Sequence, residues 1–313
     1  MTGAHPIAAD QTAAGSTRPA NANIVWIASY PKSGNTWMRV FLWHLLRPTD
    51  GAPDQVEQDF GFLKKFGTTD SSHVSKFERL LGKPLGEATF DEVAAARPHV
   101  QAAIAAAADG MVAIKTHSAL GVAHGAPTID LSLTVAAIYL VRNPLDVVIS
   151  LSDHFGTSID MAIDRMCLEN CMVSSDDRAA PEFWGSWSQN VGSWTGAPNP
   201  LIMPIRYEDM LSAPEPVFRA VARFLHQQPS EEKLAMAVRA ASFQHMKETE
   251  ERSGFPEAVR DGQQFFREGR AGKWREVLNV EQIRRLVSAH YVQMGRVGYM
   301  TPELMQYVPE SAR

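Results

Sequence analysis

The chain has 313 residues, of which 45% are hydrophobic and 21% are charged, and its formal net charge is −5. This length and mixture are typical of a globular protein, so a disordered or collagen-like chain is excluded. The weak negative charge argues against partners that are held by overall basicity, such as nucleic acid or an acidic membrane surface. An anionic ligand would therefore need a local, positively charged site.

The N-terminal segment, the apolar runs and the cysteines indicate where in the cell the protein is expected. Residues 1–22 lack the basic start and apolar core of a secretory signal, and their composition predicts a disordered tail. No apolar run approaches the ~18 residues of a membrane-spanning helix. Cys167 and Cys171 are interpreted as small buried side chains on one face of a helix, because no Cys/His cluster accompanies them. With two cysteines in such a length, we expect a cytoplasmic protein.

Strands and helices alternate along most of the chain. Apolar runs predict strands at 23–29, 111–116, 133–141 and 201–206. Helical spacing predicts helices at 36–46, 90–108, 144–151, 183–194, 216–225, 230–241 and 280–294. The stretches 47–86 and 249–274 are expected to be largely irregular. The alternation predicts an α/β fold: a single domain (residues 23–300) with a central, mostly parallel sheet flanked by helices, and a C-terminal tail at 301–313.

The segment Tyr30–Trp37 (YPKSGNTW) joins the first predicted strand to the first predicted helix. Backbone N–H groups that lead into a helix form an anion site, and the hydroxyls of Ser33 and Thr36 could also donate. Lys32 adds a mobile positive charge. The lysine precedes the glycine, so the segment does not satisfy the Walker A pattern. It therefore predicts a different kind of anion-binding loop.

A second segment, Tyr139–Ser150 (YLVRNPLDVVIS), passes from a strand into a helix. Arg142, at the end of the strand, offers two parallel hydrogen bonds to a phosphate group. Ser150 lies two helical turns further on and could reach the same ligand. The segment predicts a second phosphate site.

The two segments resemble the 5′-phosphosulfate loop and the 3′-phosphate motif of sulfotransferases that use 3′-phosphoadenosine 5′-phosphosulfate (PAPS). Four further stretches resemble that family in the same chain order, and extend the similarity from residue 23 to residue 274. They are Lys115-Thr-His117, Tyr207-Glu-Asp209, Ser242-Phe243 with Met246-Lys247, and Phe265–Trp274 (FFREGRAGKW).

The resemblance implies a P-loop nucleotide-kinase-like fold and transfer of a sulfuryl group from PAPS to an alcohol or phenol, without a metal. The family's catalytic positions correspond here to His117, Lys32, Lys115 and Ser150. His117 would act as the base, with His154 as the second choice. Lys32 would neutralise the leaving oxygen and Lys115 would contact the sulfuryl oxygens.

The resemblance also implies a set of nucleotide-binding residues. Trp37 and Phe243 would enclose the adenine, Tyr207 would approach it, and the loop at 265–274 would close over the 3′-phosphate. The full set is Lys32, Ser33, Gly34, Asn35, Thr36, Trp37, Arg142, Ser150, Tyr207, Phe243, Arg267, Glu268 and Gly269. Glu268 departs from the family pattern, because many members have a lysine there.

Two other functions remain open at this stage. A nucleotide kinase or NTPase of the P-loop class would share the sheet and the anion loop, but it would need a Walker A lysine and a carboxylate for Mg²⁺. A non-catalytic protein that binds adenosine bisphosphate is the other. The acceptor is left open, with walls expected from 60–77, 155–172 and 249–265, and so is the oligomeric state.

Overall fold

The computed structural model describes residues 22–47, 59–175, 179–257 and 264–312, so nearly all of the predicted tail at 1–22 lies outside the described ranges. Four strands form a parallel sheet: β1 (Ile24–Ser29), β2 (Val112–Thr116), β5 (Thr134–Val141) and β8 (Ile202–Arg206). Two short antiparallel pairs lie outside it: β3 (Val122–Ala123) with β4 (Ala126–Pro127), and β6 (Met172–Ser175) with β7 (Ala179–Phe183). In these ranges no helix combines the length and the apolar character needed to cross a lipid bilayer.

Helices cover both faces of the sheet. Those before β5 are α1 (Asn35–Leu46), α2 (Val74–Leu81) and α3 (Phe90–Ala106). Those between β5 and β8 are α4 (Pro144–Phe155), α5 (Ile159–Cys167) and α6 (Trp187–Thr195). Those after β8 are α7 (Tyr207–Ser212), α8 (Pro214–Phe224), α9 (Glu231–Ala240), α10 (Phe243–Ser253), α11 (Trp274–Val277) and α12 (Val280–Arg296).

Alternate residues of β1 face two separate apolar cores. Trp26 and Ala28 point towards α3, α4, α6 and α12, whereas Val25 and Ile27 point towards α1, α8 and α9. All six residues of β1 are buried, because a parallel strand with helices on both faces has no solvent side. The predicted α/β fold with one central parallel sheet is therefore confirmed.

The order of the strands, β2-β1-β5-β8, fixes where a ligand can bind. The chain leaves β1 to build β2 on one side and then crosses to build β5 on the other. Where connections diverge in this way, a crevice opens at the carboxyl ends of the strands. The segments that follow β1, β2 and β5 all begin at this edge.

The prediction that Cys167 and Cys171 share one helical face is wrong. Helix α5 ends at Cys167, because Leu168 takes an extended conformation, and Cys171 lies in the loop before β6. Cys171 is buried and Cys167 is partly buried. In the described ranges no cluster of His, Cys, Asp and Glu side chains is suited to holding a metal ion.

The helix predicted at 183–194 begins later than expected. Ser186 and Gln189 form a reciprocal capping box, so α6 starts at Trp187. Trp184, Trp187 and Trp194 are all buried in the core, although Trp184 precedes the helix.

Two regions expected to be irregular have more structure than the sequence suggested. Helix α10 runs on to Ser253, so the predicted loop at 249–274 starts with helix. The predicted tail at 301–313 packs onto the domain, since Leu304 and Val308 are buried in one of the two cores.

Candidate active site

One cavity of about 390 Å³ opens at the carboxyl edge of the sheet. It brings together every predicted site residue except Ser33, which lies in the loop beneath it. The predicted residues on its walls are Lys32, Gly34, Asn35, Thr36, Trp37, Lys115, His117, Arg142, Ser150, Tyr207, Phe243, Arg267, Glu268 and Gly269. His154, the second choice for the base, also lines it.

The loop between β1 and α1 forms the floor of the cavity. Lys32 and Gly34 both take left-handed conformations, with φ of 66° and 101°, and this turn directs the chain into the start of α1. A side chain at position 34 would lie 2.8 Å from the ring of Tyr207, so the close approach of the tyrosine requires glycine. The Ser33 hydroxyl is buried without a hydrogen-bond partner, as expected of a group that would donate to a bound anion.

Lys32 is a cation without a carboxylate partner in the described part of the chain. Its Nζ lies 3.4 Å from Nδ1 of His154 and 4.2 Å from the ring centroid of Phe265. Burial, followed by the positive charges of Lys115, Arg142 and Arg267, lowers the pKa of Lys32 to about 7. A bound anion would relieve this repulsion, so the site is arranged to receive negative charge.

The end of β2 places two side chains at the opposite wall. Lys115 Nζ lies 3.6 Å from the carboxylate of Glu257. His117 Nδ1 lies 2.9 Å from the carbonyl oxygen of Ser29, and a carbonyl can only accept, so Nδ1 carries the proton. This tautomer leaves Nε2 of His117 as the basic nitrogen. Burial and the charge of Lys115 lower the pKa of His117 to about 4, which keeps the ring neutral near pH 7.

Arg142 follows β5 and supports the floor of the cavity. It donates to the carbonyl oxygen of Lys32 over 3.1 Å and lies over the ring of Tyr207, 4.3 Å from its centroid. Its Nε is buried without a partner. Ser150 lines the same cavity from α4, two turns into the helix.

A segment that we call the lid (residues 265–273) covers the cavity. It is anchored to α4 by Asp146, whose carboxylate accepts from the backbone N–H groups of Gly272 (2.7 Å) and Trp274 (3.1 Å). At Gly269 a Cβ would lie 2.4 Å from the ring of Phe243, so the lid sits directly on that ring. The lid is therefore closed over the Phe243 side of the cavity.

The charged side chains of the lid are already paired. Arg267 forms an ion pair with Asp153, and Glu268 forms ion pairs with Arg270 and Lys273. These hydrogen bonds from Lys273 and Arg270 lower the pKa of Glu268 to about 2. Glu268 therefore holds the lid together in this structure, although it lines the cavity.

Aromatic side chains form one end of the cavity. The rings of Trp37 and Tyr207 meet edge to face with centroids 5.7 Å apart, and Phe243 lies beneath the lid. The indole N–H of Trp37 is buried without a partner. This end can take a flat, partly polar ring.

Several residues of the cavity were not expected from the sequence. Trp184 meets His117 edge to face, with centroids 6.1 Å apart. Glu257, beside Lys115, also forms an ion pair with the buried Arg39 over 2.6 Å. The capping box of α6 was a sequence signal that would have placed Trp184 outside the helix. Glu257 lies within the expected wall at 249–265, but no sequence signal singled it out.

The expected acceptor walls are found in part. Phe155 and Phe265, from two of the three expected segments, line the cavity. In the described ranges no residue of the third segment, 60–77, lines it. Phe60 instead lies behind the wall, with its ring centroid 5.5 Å from that of Phe266.

Comparison with known proteins gives a consistent result. A family model described as "Sulfotransferase domain" matches residues 23–298. Sulfotransferase 1A1 of Rattus norvegicus is 28% identical over 277 residues, which are 85% of this chain and 82% of the rat protein.

Solved structures share the fold. Mouse sulfotransferase SULT7A1 complexed with PAP has a TM-score of 0.58 at 19% identity, over 92% of this chain and 88% of the mouse chain. Retinol dehydratase in a complex with retinol and PAP has a TM-score of 0.59 at 18% identity, over 91% of this chain and 85% of the other. At these identities the likeness concerns the fold.

Proposed function

This chain belongs to the sulfotransferase domain family, and we propose that it transfers the sulfuryl group of PAPS to the hydroxyl of a small-molecule alcohol or phenol. One observation carries the proposal: the same cavity holds the Lys32 ammonium, which has no ion-pair partner among the described residues, and the neutral imidazole of His117. The PAP named in the two related structures is adenosine 3′,5′-bisphosphate, which would be the product of this transfer.

The polar groups without partners fit this donor. The Ser33 hydroxyl and the Arg142 Nε are both buried without hydrogen-bond partners. In the described ranges Lys32 forms no ion pair, and Glu257 only partly offsets the positive charges around it. An anion on the loop would supply acceptors for these groups. The bound donor supplies the sulfuryl group, and the protein supplies position and charge.

His117 acts as the base. Its Nε2 takes the proton of the acceptor hydroxyl while the hydroxyl oxygen bonds to sulfur and the bond from sulfur to the bridging oxygen breaks. Lys32 stabilises the electron pair that leaves on that oxygen with the 5′-phosphate, and Lys115 stabilises the charge on the sulfuryl oxygens. Positioning and electrostatic stabilisation do most of the work in such transfers, and no step requires a metal.

His117 is preferred to His154 because of its hydrogen bonds. The carbonyl of Ser29 fixes the proton on Nδ1 of His117 and leaves Nε2 basic. In His154, Nδ1 faces the ammonium of Lys32 and accepts from it. A nitrogen that accepts from Lys32 is poorly suited to take a proton from the acceptor.

The nucleotide would lie between the loop and the lid. Trp37, Tyr207 and Phe243 enclose the adenine, with Asn35 and Thr36 at the start of α1 beside the 5′-phosphate. Arg142, Ser150 and the backbone around Gly269 hold the 3′-phosphate, and Arg267 joins them when it exchanges Asp153 for that phosphate. Glu268 contributes through the ion pairs that keep the lid closed.

The acceptor would bind between Phe155, Trp184 and Phe265, next to His117. These aromatic walls favour an apolar ring or chain that carries one hydroxyl group. The oligomeric state does not enter this proposal, because every residue that it uses comes from one chain.

The test is to incubate the purified protein with sulfur-labelled PAPS and a panel of alcohols and phenols without added metal. We expect labelled sulfate ester from at least one apolar acceptor, and PAP binding at micromolar concentration. Absence of PAP binding would contradict the proposal. Turnover of ATP that depends on Mg²⁺ would favour a nucleotide kinase or NTPase instead, and PAP binding without transfer to any acceptor would favour a non-catalytic protein.

A further inference from the structure

We propose that Glu182 is a positioning residue for this reaction: it holds Trp184 against His117 and supplies a negative charge that stabilises the imidazolium formed when His117 takes the proton. The inference rests on the proposed sulfuryl transfer. Glu182 lies in β7, outside the sheet and outside every segment that resembles the family motifs.

Both oxygens of the Glu182 carboxylate are used to hold neighbours of the cavity. One oxygen accepts from the indole N–H of Trp184 over 2.9 Å, and the other accepts from the hydroxyl of Thr69 over 2.8 Å. The ring of Trp184 meets that of His117 at 78°. The carboxylate therefore fixes the ring that forms one wall around His117.

Thr69 connects the same carboxylate to the strand that carries Lys115. Thr69 and Lys115 form an isolated parallel bridge, and the backbone N–H of Lys115 donates to the carbonyl oxygen of Thr68 over 3.1 Å. Glu182 thus links the wall beside His117 to the backbone of the strand that leads to it.

The negative charge of Glu182 is not matched by an ion pair in the described ranges. The nearby Arg97 is engaged elsewhere, with Asp70 at 3.0 Å. Burial opposes ionisation of Glu182, but the charge of protonated His117, the hydrogen bonds from Trp184 and Thr69, and the charge of Arg97 hold the pKa of Glu182 below its ordinary value. The carboxylate is therefore ionised while His117 gains its proton.

The other charged groups around His117 compensate one another. Lys115 acts against protonation of the ring, whereas Glu257 acts for it together with the Ser29 carbonyl. Glu257, however, is neutralised by Arg39 at 2.6 Å and by Lys115 at 3.6 Å. Glu182 also acts for protonation of His117, and Arg97, the arginine that acts on Glu182, forms its ion pair with Asp70.

The experiment is to replace Glu182 by Gln, which keeps the size and an oxygen that can accept from Trp184 but removes the charge. We expect kcat to fall about tenfold, which corresponds to a change of about one pKa unit in the base. The affinity for PAP should stay within about twofold of the wild type. Glu169→Gln, at an exposed position in the turn before β6, is the control and should leave kcat unchanged.

A second measurement does not depend on turnover. In the complex with PAP, the imidazole of His117 is followed by NMR, with the His117→Ala spectrum used for assignment. Removal of a neighbouring negative charge disfavours imidazolium, so the His117 resonance should titrate at lower pH in Glu182→Gln than in the wild type. An unshifted titration, or a kcat equal to the wild type, would overturn the inference.

Two further variants separate charge from fold. Glu182→Asp keeps the charge and should titrate His117 nearer the wild-type pH than Glu182→Gln does, even where both lower the melting temperature. In a His117→Ala background, Glu182→Gln should cause no additional loss of rate, and an equal loss there would assign the residue a purely structural role. A wild-type protein that binds PAP but transfers no sulfuryl group would instead refute the proposed function, while the NMR titration would still decide the effect of Glu182.

Discussion

The two halves of the cavity differ in how far their cations are paired with carboxylates. The strand-end half, which consists of Lys32, Lys115, His117 and Arg142, keeps Lys32 without a carboxylate partner in the described ranges and His117 neutral at physiological pH. The lid half (residues 265–273) pairs its cations with carboxylates. The sheet can hold repelling charges in place because its backbone is fixed. The lid has no sheet behind it and is closed by its own ion pairs.

Removal of the base in the strand-end half should have the largest effect. We expect His117→Ala to reduce the rate of sulfuryl transfer by about 10²- to 10⁴-fold, the usual contribution of a general base. The affinity for PAP should hardly change, because in the proposed complex the ring contacts the acceptor and not the phosphates. His154→Ala serves as the comparison. A larger loss in that variant than in His117→Ala would reverse the assignment of the base.

The charge of Lys32 should appear as a pH dependence of nucleotide binding. The pKa of Lys32 is about 7 in the free protein, and a bound phosphate raises it, so binding above that pH requires uptake of a proton. Affinity for PAP should therefore fall as pH rises above about 7, by at most tenfold per pH unit. Calorimetric titrations at several pH values from about 6 to about 9, on both sides of the Lys32 pKa, would measure this slope.

Lys32→Arg is the control for that slope, because a guanidinium stays protonated throughout this range. The variant should bind PAP with an affinity that no longer declines above pH 7. A decline that is as steep in Lys32→Arg as in the wild type would assign the titration to another group.

A change in the lid tests its closure on Phe243. In Gly269→Ala the new Cβ would meet the Phe243 ring at 2.4 Å, so the lid cannot close as it does here. We expect PAP to bind about tenfold more weakly, in line with the usual cost of overpacking. Gly82→Ala is the matched control, since Gly82 has a similar φ of 68° but open space around its Cβ position.

The smallest effect should come from the ion pair that holds Arg267. In Asp153→Asn the arginine no longer has to leave a carboxylate before it can bind a phosphate. We expect the affinity for PAP to rise by about threefold, within the usual range of a half-exposed pair. Loss of affinity in this variant would show that Asp153 positions Arg267 and does not compete for it. Glu215→Gln, which breaks an exposed ion pair with Arg219 and does not line the cavity, should change nothing.

The sequence was most informative where chemistry and backbone share one short segment. In Tyr30–Trp37 the strand, the turn and the start of the helix are consecutive, so the pattern of residues predicted both the fold of the loop and its charge. The same holds for Arg142, which directly follows a strand that was recognisable as a continuous apolar run. The order of such strand ends predicted that these segments would meet.

The sequence was least informative where the contact is made across the fold. Glu257 reaches Lys115 over 142 positions in the chain, and no local pattern encodes that approach. Trp184 is a core residue that precedes the helix starting at Trp187, so the predicted helix at 183–194 did not indicate its contact with His117. The ion pairs of Glu268 likewise depend on how the lid folds back on itself.

The position of β2 at the edge of the sheet affects how readily its backbone hydrogen bonds open. β2, which carries Lys115 and leads to His117, has a full ladder on one side only, and on the other a single bridge from Thr69. β1 and β5 are flanked on both sides, so their amide protons should exchange with deuterated solvent last, and those of β2 sooner. Local opening would thus begin next to the proposed position of the acceptor hydroxyl, while β1 and β5, beneath the proposed phosphate positions, keep their hydrogen bonds.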